Sequence, residues 1–172
     1  MTKIVQKDDP VLRKKAEPVT KALFGSTKLK KVLKDMKEAL AGQIDGVAIA
    51  APQIGVSLRI FVVSGKILEM LRPESVDSKK KTKDVAFINP EIVKLSKDRE
   101  LVEEGCLSVR YLYGKIERAK KARVRAFDEK GKAFEIGASG LLAQIFQNET
   151  DHLDGTLFID NATDLHDVPP GK

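Results

Sequence analysis

Between Leu29 and Leu40 the apolar residues Leu29, Val32, Leu33, Met36 and Leu40 recur every three or four positions, which predicts an amphipathic helix. Ser26 and Thr27 stand before it and Gly42 after it, residue types that start and stop helices. Residues 46–55, Gly-Val-Ala-Ile-Ala-Ala-Pro-Gln-Ile-Gly, are small, glycine-punctuated and uncharged, as suits a backbone packed close to something else. Ile60-Phe61-Val62-Val63 reads as a buried strand. Residues 85–90 and 91–95 read as two strand-like segments flanking a proline turn. Residues 123–127 and 132–136 face each other across Asp128-Glu129-Lys130-Gly131, the pattern of a hairpin.

A second helix is predicted from near Ser139 to near Gly155, with serine at the cap position and glycine beyond the last turn. Leu141, Ile145, Asn148 and His152 share one stripe, and Leu142, Phe146, Glu149 and Leu153 the adjoining one. Polar groups thus continue an apolar face, which is unusual unless a ligand or partner satisfies them. The order of helix, short strands, hairpin and late helix predicts an α+β domain, with antiparallel strands packed around the central helix that carries His152.

The 172 residues fit one domain, 1–172, long enough to bury a core without disulfides. Residues 65–84 hold a polar, lysine-rich stretch that reads as an exposed connection rather than a domain boundary. No apolar run approaches the roughly 18–20 residues of a membrane span. The first residues lack the apolar segment of a secretory signal, and Asp8 and Asp9 argue against a transit peptide, so a cytoplasmic protein is expected. The single cysteine, Cys106, fits a reducing compartment. The formal net charge of +6 sits largely in lysine runs without interleaved aromatics, a solvated surface or a loose contact with a ribosome.

Residues 148–152, Asn-Glu-Thr-Asp-His, differ by one residue from the His-Glu-x-x-His pattern in which two histidines chelate a metal and the glutamate acts as base. Taken alone, Glu149 and His152 also fit an ordinary solvated helix face. Cys106 follows a glycine in Glu104-Gly105-Cys106-Leu107-Ser108, where a thiolate can reach a cation. Taken alone, it equally fits a small buried hydrophobe.

Together, residues 46–55, 104–108 and 147–153 resemble the three motifs of peptide deformylases in order and spacing. The likeness extends to Asp9-Pro10-Val11-Leu12-Arg13 and to residues 155–160, nearly the whole chain. It implies an enzyme that removes the formyl group from formyl-methionyl nascent peptides, acting as a cytoplasmic monomer. By position it makes Cys106 and His152 metal ligands, with Asn148 in the place of the third, and Glu149 the general base and acid. Gln53 through its amide and Leu107 through its backbone N–H become oxyanion donors. Gly46 and Val47 line the peptide channel, and Val47, Val102, Leu141 and Ile145 form the pocket for the first side chain. The implied cofactor is iron(II); zinc, nickel or cobalt suit the same ligands.

Two residues depart from the family pattern. Ala48 replaces the second glycine of the first motif, and Asn148 replaces a histidine with a neutral, hard amide donor on a shorter side chain. Three other readings follow: a pseudoenzyme that binds peptide N-termini without cleaving them, a thiol hydrolase built on Cys106 and His152, and a basic RNA-associated factor without chemistry.

Overall fold

The computed structural model describes residues 2–71 and 82–169. Helix α1 spans Thr27–Ala41, and the Ser26 hydroxyl accepts the Leu29 N–H at 3.1 Å, the cap expected there. Strands β1 (Ala48–Ala50) and β2 (Ile60–Val63) follow, then helix α2 (Gly65–Leu71), then β3 (Val85–Leu95). Strands β4 (Arg99–Gly105), β5 (Leu112–Ala119), β6 (Lys121–Phe127) and β7 (Ala133–Ser139) lead into helix α3 (Gly140–Leu153), and β8 (Thr163–Asp167) closes the chain. Every strand pairing is antiparallel: one sheet runs β1-β2-β3-β6-β7 and the other β4-β5-β8.

Both faces of the larger sheet are covered, which explains why Ile60–Val63 is apolar throughout rather than alternating. Phe61 and Val63 turn toward α3 and join Ala143, Ile145 and Phe146 in one core cluster. Ile60 and Val62 turn the other way, toward Leu33, Met36 and Leu40 of α1. Phe61 stacks on Phe87 at 4.6 Å between centroids, and Phe146 of α3 packs on Phe87 at 5.3 Å. Truncating such a buried ring typically costs about 3–5 kcal/mol. A third cluster, Leu12, Val109, Ile116, Leu157 and Phe158, lies beside the smaller sheet. Antiparallel strands thus surround α3 and fix its polar stripe in space.

Three features differ from the sequence expectations. Residues 85–95 form one continuous strand, not two around a turn: Pro90 lies at an irregularity in the pairing with β6, between Ile88 and Glu91. Asn89, at φ 49°, accepts the Val19 N–H at 2.7 Å and donates to the Val19 carbonyl at 2.8 Å, so its side chain pairs with distant backbone. The start of the supposed connection is helix α2, while Lys79, Lys80 and Lys81 lie outside the described residues. Strand β8 carried no recognised signal. Among the described residues no helix is long and apolar enough to cross a membrane.

Candidate metal centre and peptide cleft

Residues 51–54 form a 3-10 turn in which Gln53 is fixed: its Oε1 accepts the Ala50 N–H at 2.8 Å. The Gln53 amide nitrogen is left to donate to Cys106 Sγ at 3.4 Å and Ser108 Oγ at 3.2 Å. Gly55, at φ +79°, ends the turn in a conformation that glycine adopts without strain. Cys106 follows the last residue of β4. Its Sγ receives the Ser108 N–H at 3.4 Å and lies 3.1 Å from His152 Nε2 on α3.

Gly105 has a steric reason to be glycine. A Cβ there would fall 2.4 Å from Cε1 of Tyr113, whose ring lies across the backbone. Helix α3 is tied down beside the site by Gln147, which accepts the Ala119 N–H at 2.9 Å and donates to the Ala119 and Ala143 carbonyls at 3.0 and 2.9 Å.

His152 is 1% exposed and Glu149 4%. Asn148 Nδ2 donates to Glu149 Oε1 at 3.3 Å. Glu149 Oε2 and His152 Nδ1 are buried without a hydrogen-bond partner, the kind of vacancy in a polar network that a ligand completes. Beneath them Arg118 donates to both oxygens of Glu104, at 2.7 and 2.8 Å, and to Asp151 Oδ2 at 2.6 Å.

Burial pushes the Cys106 thiol up to about 12, helped by the charges of Glu149 and Glu104. Burial likewise pushes Glu149 up to about 8, against the hydrogen bond from Asn148. His152 is driven down to about 4 by burial and then by the charge of Arg118. Without a cation, therefore, the thiol keeps its proton and donates it to a neutral imidazole.

Two cavities meet here. The cleft, about 140 Å³, is lined by Val47, Gln53, Cys106, Leu107, Asn148 and Glu149, with Asp45, Arg110, Tyr111 and Tyr113 toward its outer end. The second, about 170 Å³, is lined by Val47, Leu141, Gln144, Ile145, Asn148 and Glu149. Of the expected site residues, Cys106, His152, Asn148, Glu149 and Gln53 come together, with Leu107 in the cleft wall. Val47, Leu141 and Ile145 share the second cavity. Gly46 lines a neighbouring hollow with Leu40 and Gln43, and Val102 packs with Leu12, Val109 and Ile116 and lines neither cavity.

The sequence profile of the polypeptide deformylase family matches residues 1–168. This chain belongs to the peptide deformylase family. It is 39% identical over 163 residues to a peptide deformylase of Desulforudis audaxviator, covering 95% of this chain and 94% of that one. The crystal structure of the Thermotoga maritima peptide deformylase superposes with a TM-score of 0.78 at 39% identity, over 95% of this chain and 98% of that one. A class I type b peptide deformylase of Acinetobacter baumannii with Met-Ala-Ser bound gives 0.80 at 32% identity, over 94% and 99%.

Peptide deformylases are metallohydrolases, and the donors here fit a divalent cation with one weak corner. A buried neutral imidazole is ready to ligate, and a buried thiol ionises readily only against a cation. Among the described residues no three His, Cys, Asp or Glu side chains group as a metal site, so the third donor falls to the Asn148 amide or to solvent. Sequence reasoning had missed Arg118, Asp45 and Arg110, whose partners lie 14 to 65 residues away along the chain.

Proposed function

We propose that this chain removes the formyl group from formyl-methionyl nascent peptides, with a divalent cation held by Cys106 and His152 and, weakly, by Asn148. The observation that carries this reading is the convergence of Gln53, Cys106, His152 and a buried Glu149 on one cleft. When bound, the cation polarises the formyl carbonyl and makes the attacking water more acidic. Iron(II) is the family's implied cation; zinc, nickel and cobalt suit the same donors.

Glu149 takes a proton from the attacking water and returns it to the amine nitrogen as the C–N bond breaks, releasing formate. A carboxyl whose affinity for a proton burial has raised suits a group that must both accept and return one. The Gln53 amide, aimed by its bond to Ala50, and the Leu107 backbone N–H donate to the formyl oxygen as it gains charge. The Leu141–Ile145 cavity receives the methionine side chain, with Val47 at its mouth. Strand β1 is an edge of its sheet, so the backbone at Gly46 and Val47 is placed to pair with an extended peptide. Met-Ala-Ser, bound by the Acinetobacter relative, is the kind of product such a reaction leaves. The same reading takes the chain as a cytoplasmic, single-domain monomer whose basic surface favours loose contact with the ribosome.

The test is formate release from formyl-Met-Ala-Ser by protein loaded anaerobically with iron(II), native and Asn148→His. Hydrolysis by the native chain that rises on Asn148→His supports the reading. No hydrolysis by either form removes it.

A second reading has one observation in its favour: the donor set lacks its third strong ligand. A pseudoenzyme binds formyl-Met-Ala-Ser without turning it over. Calorimetry that detects no binding excludes it.

A further inference from the structure

The proposed hydrolysis leaves one wall of the cleft unused. Arg110 and Tyr111, in the loop between β4 and β5, form it. Arg110 reaches across the mouth to Asp45, on the opposite side just before Gly46. Its Nη1 donates to Asp45 Oδ2 at 2.7 Å, and its Nη2 to Oδ1 at 3.1 Å and to Gln43 Oε1 at 2.8 Å. The Arg110 backbone N–H donates to Gln6 Oε1 at 3.4 Å. A two-pronged guanidinium–carboxylate pair fixes orientation as well as charge. Tyr111 lies against this pair, its ring centroid 5.6 Å from the guanidinium carbon, and 42% of the residue stays exposed. The wall is therefore an aromatic surface backed by a cation whose charge is already matched.

The cleft and the methionine cavity join at Val47, Gly105, Asn148 and Glu149, which line both. Successive side chains of an extended peptide point to opposite sides. With the methionine side chain between Leu141 and Ile145, the next one turns toward the Arg110–Tyr111 wall. We propose that this wall is the subsite for the residue after the methionine, selecting an apolar or aromatic side chain there over an acidic one. The inference rests on the formyl-methionyl peptide reading above.

Calorimetry on the full-length protein with formyl-Met-Phe-Ser, formyl-Met-Ala-Ser and formyl-Met-Glu-Ser tests it. The phenylalanine peptide binds about tenfold more tightly than the alanine peptide, the size of an aromatic contact together with its burial. The glutamate peptide gains nothing over alanine. Tyr111→Ala removes most of the preference and Tyr111→Phe keeps it, which separates loss of the ring from general loosening of the loop. Asp45→Asn leaves the guanidinium short of a countercharge and improves binding of the glutamate peptide alone. Equal binding of the phenylalanine and alanine peptides by the native protein, or a preference that survives Tyr111→Ala, overturns the subsite while leaving the formyl-peptide reading intact. Failure of all three peptides to bind overturns both.

Discussion

The Asn148 amide donates to Glu149 Oε1 at 3.3 Å, tying the residue at the weak metal corner to the carboxylate proposed as base. With its N–H group engaged there, Asn148 has Oδ1 as the atom it can offer a cation. One substitution therefore bears on two parts of the site: it weakens the grip on metal and it holds the proton carrier.

Glu149→Gln keeps the shape of the side chain and removes its proton chemistry. We expect formate release to fall by roughly 10²–10⁴-fold, the usual contribution of a general acid–base, with formyl-Met-Ala-Ser binding little changed by calorimetry. A variant that stays within a few fold of the native rate rules Glu149 out as the proton carrier.

Stability of the metal-free protein carries the same signature. Burial pushes Glu149 up to about 8 from an ordinary 4.5. Between those values the folded state holds a proton that the unfolded chain has released, so stability falls as pH rises through that window. His152, pushed down to about 4 from 6.5, acts in the other direction, and its contribution is lost as pH drops from 6.5 toward 4. Glu149→Gln should therefore raise Tm at pH 8 and change it far less at pH 5. A Tm difference that does not grow between pH 5 and 8 contradicts the buried state assigned to this carboxyl.

Arg118 sits between two carboxylates with little access to water: its side chain is 8% exposed and that of Glu104 4%. Burial opposes its charge, but the hydrogen bond and charge of Glu104, then those of Asp151, hold it protonated. Removing one partner of such a group leaves the other buried and uncompensated. Arg118→Met should cost about 3–5 kcal/mol in urea unfolding, and adding Glu104→Gln should recover much of the loss. A cost near that of a surface pair, below about 1 kcal/mol, contradicts this.

Helices α1 and α3 were legible because their signals are local, an apolar stripe with caps at either end. The candidate site was legible for a related reason: Cys106, Glu149, His152 and Gln53 are chemically distinctive types in short motifs. What stayed hidden depends on partners far along the chain. Pro90 beside Asn89 reads as a turn until Val19, 70 residues away, supplies the hydrogen bonds that carry β3 past it. Arg118 looks like one more charged residue on an alternating strand until β4 and α3 place carboxylates on both sides of it. Val102 was expected in the substrate pocket, but its register opposite Ile116 sends it to the cluster around Leu12 and Val109. The Asp45–Arg110 pair joins segments 65 residues apart, and neither residue belongs to a motif.

The most direct test of a site with two strong protein donors and one weak one is the dissociation constant for zinc, measured by competition with a chromophoric chelator on the native protein and on Asn148→His. Changing a mere outer-shell partner already costs roughly 10–100-fold in affinity. Restoring an imidazole should therefore tighten binding by at least about 100-fold. Equal affinities in the two proteins would contradict the account, because residue 148 would then have no part in holding the metal.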